Sequence, residues 1–265
     1  MDRATSAWGD RNVKSLSFGD VQDFLFADTT ANNEKTRHDI RSCIDQFFTW
    51  LSKREGIKKP EIPKISFELG WHTITDLDSQ QAILNELNRI APEKIAFGIE
   101  LLATYTSIRP DDLRRVKEGE YRDGIVTFHN PTKKKNQANI VRLLPEHAER
   151  WEELKKKHPA LQHMPFFRHV ARNGIKADTP FGEGVLYKWW KRACENICIE
   201  GIDLYGGTRH TTTTAIAELA NPESAKKASG HMTNKAFERY CQAADETAFQ
   251  MAKLIKSTPQ KLINK

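Results

Sequence analysis

Apolar residues recur along the amino-terminal part of the chain at helical intervals. From about Asn33 to Arg54, the residues Ile40, Cys43, Ile44, Phe47, Phe48 and Leu51 fall three and four apart, the spacing that gathers side chains on one face of an α-helix. Gly56 then predicts the helix end. A shorter apolar segment, opened by Leu16-Ser17-Phe18-Gly19-Asp20 and running through Leu25 and Phe26, reads as helical too. The stretch from Lys58 to Lys64 carries Pro60 and Pro63 among its lysines, cannot continue a helix, and is the linker expected between two domains. The boundary is placed between it and about Asp76.

The pattern changes beyond that point. Asp78 to Leu87 and Pro92 to Ala103 return to helical spacing, with Pro92 suited to a first turn. Asp123-Gly124 is a turn signal. Ile125-Val126-Thr127-Phe128 reads as one strand and Asn139 to Leu143 as a second, with the lysine-rich Thr132 to Gln137 between them. Helical signals resume at about Val185. The expected fold class is mainly α with a small antiparallel β-sheet.

Composition narrows the picture modestly. A chain of 265 residues suits one large domain or two ordinary ones. Forty-one Lys and Arg against 35 Asp and Glu give a net charge of +6 and a pI near 9.0, compatible with a polyanionic partner. Cys43, Cys194, Cys198 and Cys241 lack the spacing of a zinc knuckle, so they read as free thiols in a reducing compartment, and neither a metal nor a cofactor is expected. The polar start and the lack of an 18-residue apolar run lead to the expectation of a soluble, cytoplasmic protein with no membrane partner.

Three segments concentrate candidate chemistry. Arg109 precedes Pro110-Asp111-Asp112, which has the look of a helix start. An arginine there can hold phosphate oxygens together with helix amides; taken alone, it is better explained by a salt bridge to Asp111 or Asp112. Arg209 lies in Tyr205-Gly206-Gly207-Thr208-Arg209-His210, where the glycines permit an unusual backbone path and Thr208 is expected to cap the following helix. Thr211 to Thr214 are poor helix formers, so packing must hold that helix. In the third segment, Asn221 caps, Pro222 takes the first turn and Gly230 ends a short helix, which leaves His231 in a loop. A further helix from Thr233 or Asn234 is expected to align Ala236, Phe237 and Tyr240 on one side. An isolated tyrosine in such a place is ordinarily a half-buried core residue.

Taken jointly, these residues resemble the catalytic set of the tyrosine recombinases, the phage integrase family. That family runs from an arginine through a hairpin lysine, a His-x-x-Arg box and a second His or Trp to a nucleophilic tyrosine nine residues later. Arg109, Lys133, Arg209, His231 and Tyr240 occur here in that order, with Tyr240 nine positions after His231. Lys133 best fits the start of the hairpin turn; Lys134 and Lys135 are its neighbours, and strand side chains alternate in direction. The chain departs from the box at Gly206, where the family has histidine or sometimes lysine, an auxiliary donor and proton carrier at the phosphate. Tyr205 and His210 are nearby candidates for that role, though neither is at the matching position. A histidine placed at 206 is expected to help only if the backbone there has negative φ.

The resemblance covers about residues 76 to 250. It implies a helical core-binding domain over residues 1–75, including the basic linker, and a catalytic domain over 76–265. Many phage integrases carry an arm-binding domain before this part, so residues 1–75 can be a truncated amino-terminal region. The implied activity is site-specific recombination of double-stranded DNA through a 3′-phosphotyrosyl intermediate. Tyr240 would be the nucleophile, Arg109, Arg209 and His231 the phosphate ligands, and Lys133 the donor to the departing 5′ oxygen. A type IB topoisomerase-like activity, or a DNA-binding protein that has lost catalysis, are the alternatives. The implied assembly is a homotetramer on paired sites, with accessory DNA-bending proteins as further partners, in the nucleoid of a prokaryotic cell. The segment after Tyr240, with Ala244, Ala248, Met251, Ala252 and Ile255 at helical spacing, suits docking on a neighbouring copy or packing on its own domain.

Overall fold

A computed structural model describes residues 2–27, 31, 33–67, 70, 72–129, 138–170, 174, 176–231, 233–238 and 241. Lys133, Lys134, Lys135 and Tyr240, and the segment from Ala244 to Ile255, lie outside the described residues. The chain divides into two compact units, Met1–Trp71 and His72–Lys265.

The first unit is helical: α1 (Asp2–Trp8), α2 (Phe18–Phe26) and α3 (Glu34–Glu55). Ser17 and Asp20 form a reciprocal capping box at the start of α2. Asn33 caps α3, and Gly56 closes it in the left-handed conformation, φ 62°. Ile44, Phe48 and Leu51 of α3 pack with Val21, Phe24 and Leu25 of α2 and with Leu16. The apolar stripe read from the sequence is wider than the face that is buried, since Cys43 and Phe47 are exposed. The proline-containing stretch from Lys58 to Lys64 also differs from a solvated connector. Ile62 is buried in this core, Arg41 Nε donates to the Pro63 carbonyl (3.1 Å), and Lys59 Nζ pairs with Asp45 (2.9 Å). Apolar burial at one position holds a segment that its prolines only prevent from being helical.

The second unit is built around α5 (Glu93–Thr104), whose Ile95, Ala96, Phe97, Ile99, Leu101, Leu102 and Ala103 are all buried. Preceding it is α4 (Leu77–Ile90), capped by Asp76; α6 (Pro110–Arg115) follows. Next comes an antiparallel sheet in the order β1 (Tyr121–Arg122), β2 (Ile125–His129), β3 (Ala138–Arg142), with Val126 opposite Val141 and Thr127 opposite Ile140. Asp123 and Gly124, φ 51° and 75°, make the tight turn between the first two strands. Val126, Phe128 and Val141 point inward, where Trp151 of α7 (Pro145–Lys157) stacks on Tyr121 and Phe166. The carboxyl-terminal elements are α8 (Val185–Asn196), α9 (Thr211–Leu219), α10 (Pro222–Ser229) and α11 (Asn234–Glu238). Among the described residues, no helix is long and apolar enough to cross a membrane, and the four cysteines are free thiols.

Candidate active site

Arg209 occupies a π-helical turn, Gly206–His210, that runs directly into α9. The turn is fully buried and is fastened from three sides. Gln80 Nε2 of α4 donates to the Gly207 carbonyl (2.7 Å), Thr212 Oγ1 donates to Ala103 at the end of α5 (2.6 Å), and Trp190 of α8 lies against Gly207. The glycines serve close approach and not an unusual backbone conformation. Neither has positive φ. A Cβ on Gly207 would overlap the Trp190 ring, and one on Gly206 would overlap the Thr73 carbonyl oxygen. Negative φ at 206 therefore does not make room for a histidine there. Thr208 also departs from its expected role: its hydroxyl donates back to the Leu204 carbonyl, so it sits inside the turn, and His210 stands at the start of α9 without a side-chain cap. Packing against α4, α5 and α8 keeps the threonine-rich start of α9 helical despite its low propensity.

Arg109 stands immediately before α6. Its backbone N–H donates to Asp112 Oδ2 (3.0 Å), while Asp111 pairs with Arg114 (2.7 Å) and Arg115 (3.3 Å). No ion pair among the described residues takes up the Arg109 guanidinium. The half-buried loop that carries Arg109 is tied to β3 by Asn139 Nδ2, which donates to the Ser107 carbonyl (3.1 Å).

His231 follows the left-handed Gly230, φ 67°, that ends α10, as the punctuation from Asn221 onward predicts. Its Nε2 lies 3.4 Å from Arg209 Nη2, and its Nδ1 lies 2.6 Å from Ser229 Oγ. Arg209 Nη2 also donates to the Ser229 carbonyl (2.8 Å). Burial lowers the His231 pKa to about 4, and the charges of Arg209, Arg109 and His210 push in the same direction. Arg109, Arg209 and His231 thus share one electrostatic neighbourhood, although they come from three separate segments. An anion placed there would offset the two arginines and favour the protonated imidazole. That neighbourhood can hold phosphate oxygens through guanidinium forks and a histidine donor, without a metal ligand set.

The sequence reading did not single out His72, Asp203 or Ser229. His72 Nδ1 lies 2.6 Å from Asp203 Oδ2, and its ring is 4.7 Å from that of His210. No local pattern signals a pairing between residues 72 and 203, which only the fold brings together. Ser229 had a local signal, being two residues from His231 at a helix end.

No protein-family model matches the chain, and no curated protein does. Solved structures match it in fold, and the fold is that of the tyrosine recombinases. A lambda integrase dimer bound to a COC′ core site is 15% identical over 90% of this chain and 68% of its own, with a TM-score of 0.65. XerH site-specific recombinase bound to difH substrate is 15% identical over 91% and 71%, with a TM-score of 0.63. The Tn1549 transposon integrase in complex with circular intermediate DNA is 13% identical over 92% and 87%, with a TM-score of 0.62. At such identities the likeness is one of architecture.

Proposed function

We propose that the chain is a site-specific DNA recombinase that cleaves and rejoins strands through a 3′-phosphotyrosyl intermediate. The observation that supports this reading is the contact of Arg209 with His231, an imidazole on which the Arg109 charge also acts, on a fold shared with integrases and recombinases. Tyr240 attacks the scissile phosphate in line, forming a P–O bond as the bond to the 5′ oxygen breaks. The negative charge that develops on the nonbridging oxygens is stabilised by the two guanidinium groups and by His231, which protonates as the phosphate enters. Lys133 protonates the departing 5′ oxygen. The phosphotyrosyl link conserves the energy of the broken bond, so a 5′ hydroxyl from a partner strand reverses the step. Exchange between two duplexes requires several copies, and this reading takes the acting form as a homotetramer on paired sites. A lambda integrase tetramer bound to a Holliday junction has the same fold.

The test is a duplex enriched by the protein itself from a randomised pool, then nicked beside the cleavage position so that the released fragment diffuses away and the adduct is trapped. A covalent protein–DNA adduct that survives denaturant and is absent from Tyr240→Phe is expected. Transfer of the strand to a second duplex identifies a recombinase, whereas rejoining confined to the same strand would indicate topoisomerase-like chemistry. Binding without any adduct would mark a site-binding protein instead.

A further inference from the structure

Two side chains tie the loop that carries Arg109 to one neighbouring run of chain, residues 139–147. The loop itself spans residues 105–109, between the end of α5 and the start of α6. Within it, the Ile108 N–H donates to the Tyr105 carbonyl (2.9 Å), and the Ile108 side chain is buried in the core of the second unit.

The first tie is Asn139 of β3. Strand side chains alternate, so Asn139 shares the inward face with the buried Val141, while Ile140 between them is exposed. An amide on that face needs a partner, because a polar group withdrawn from water without one is costly. Its Nδ2 donates to the carbonyl of Ser107, two residues before Arg109 (3.1 Å). The strand register fixes the amide in place, with Asn139 opposite the buried Phe128 of β2.

The second tie is Tyr105. Its hydroxyl accepts the Leu144 N–H at the start of α7 (2.7 Å) and lies 2.9 Å from His147 Nδ1. The other ring nitrogen, Nε2, lies 3.3 Å from Glu100 Oε1, and Glu100 is paired with Arg150. A carboxylate only accepts, so Nε2 carries the proton of a neutral His147 and the Tyr105 hydroxyl donates to Nδ1. Glu100 and His147 thereby hold the hydroxyl in one orientation. The Arg109 side chain takes part in no ion pair among the described residues, so its reach towards a phosphate is set by where the loop places its backbone.

We propose that Asn139 and Tyr105 are positioning residues for strand cleavage: by fastening the loop to β3 and α7, they set where the Arg109 guanidinium meets the scissile phosphate. The inference rests on the strand-transferase reading above and identifies what holds one of its arginines in place. Both side chains act through Arg109, and neither touches the reacting atoms.

The full chain is tested on the enriched, nicked duplex by single-turnover adduct formation at saturating protein, with DNA affinity and melting temperature measured alongside. Asn139→Ala is expected to slow adduct formation about tenfold to a hundredfold, the cost of a misplacement of up to about 1 Å at a reacting group, with affinity close to wild type. Tyr105→Phe keeps the ring and removes only the hydroxyl, and it gives the same test should Asn139→Ala lower the melting temperature. Each change is then repeated in an Arg109→Ala background, where no guanidinium is left to misplace and a further slowing of less than about twofold is expected. A role in stability alone slows both backgrounds by the same factor, and that result overturns the assignment. Wild-type cleavage rates in Asn139→Ala and Tyr105→Phe overturn it too, while the strand-transferase reading stands. A wild-type protein that forms no adduct overturns both.

Discussion

The hydrogen bonds around His231 settle which of its nitrogens carries the proton. Guanidinium groups have no acceptor, so the contact with Arg209 makes Nε2 the acceptor and leaves the proton on Nδ1, directed at Ser229 Oγ. The Ser229 hydroxyl is in turn free to donate to the Lys226 carbonyl, 3.1 Å away. A neutral imidazole is what burial and two nearby arginines favour, and the pKa of about 4 against an ordinary 6.5 follows from them. The sign of the pH effect can be worked out from this shift. Between pH 6.5 and about 4 the unfolded chain binds a proton at this residue that the folded chain refuses, so His231 costs stability progressively as pH falls through that window. Unfolding midpoints measured across it are expected to drop more for wild type than for His231→Gln. A DNA phosphate between the arginines reverses the preference, so binding is expected to take up a proton and tighten as pH falls, an effect that His231→Gln loses. Arg109→Ala and Arg209→Ala are each expected to slow adduct formation about a hundredfold or more, as when a donor to a developing charge is removed. Cleavage near the wild-type rate in either variant would remove that arginine from the site.

At the level of elements, the legible parts and the hidden parts of the chain separate by the range of the forces involved. The course of α10 was readable because its signals are local: the Asn221 cap, Pro222 in the first turn and the left-handed Gly230 all act within their own turn. The strands on either side of the lysine-rich segment were readable for the same reason. The glycines before Arg209 were not. Their small size answers to Trp190 and Thr73, partners that no local pattern announces, and the π-turn they belong to hides Thr208 from the capping role its position suggests. Likewise, the burial of Ile62 converts a proline–lysine linker signal into packed structure. The joint order of Arg109, Lys133, Arg209, His231 and Tyr240 carried the site reading, while the His72–Asp203 pair required the fold. Gly207→Ala is expected to force its methyl into the Trp190 ring and to destabilise the second unit by about 1–3 kcal/mol, the usual range for overpacking. Gly206→His is expected to lower the melting temperature and to slow cleavage, because the Thr73 backbone has to move for it. Thermal unfolding of both variants checks the first effect, and an unchanged melting temperature in Gly206→His would show that Thr73 yields easily.

For the molecule as a whole, the proposed reading rests on charge, fold and site chemistry taken together. The formal charge of +6 is modest, so it does not single out nucleic acid by itself, and the fold alone does not establish an activity. Their combination with a site holding two arginines makes DNA the partner in this reading, and it separates the energetics of binding from those of the reaction. If guanidinium groups do the work at the phosphate that divalent ions do in many nucleases, adduct formation is expected to persist in excess chelator. Loss of the adduct in chelator, restored by magnesium, would place the protein in a different class. In this reading binding draws instead on lysines and arginines, each neutralising a phosphate and releasing a counterion. Affinity for duplex DNA is then expected to fall linearly on a log–log scale with salt, by about a thousandfold or more between 50 and 200 mM if about six or more phosphates are contacted. Cleavage at saturating protein is expected to lose much less over the same range, because the Arg209–His231 group is largely buried and screened little by salt. A flat salt dependence of binding would mean that duplex DNA does not engage lysines and arginines through its phosphates.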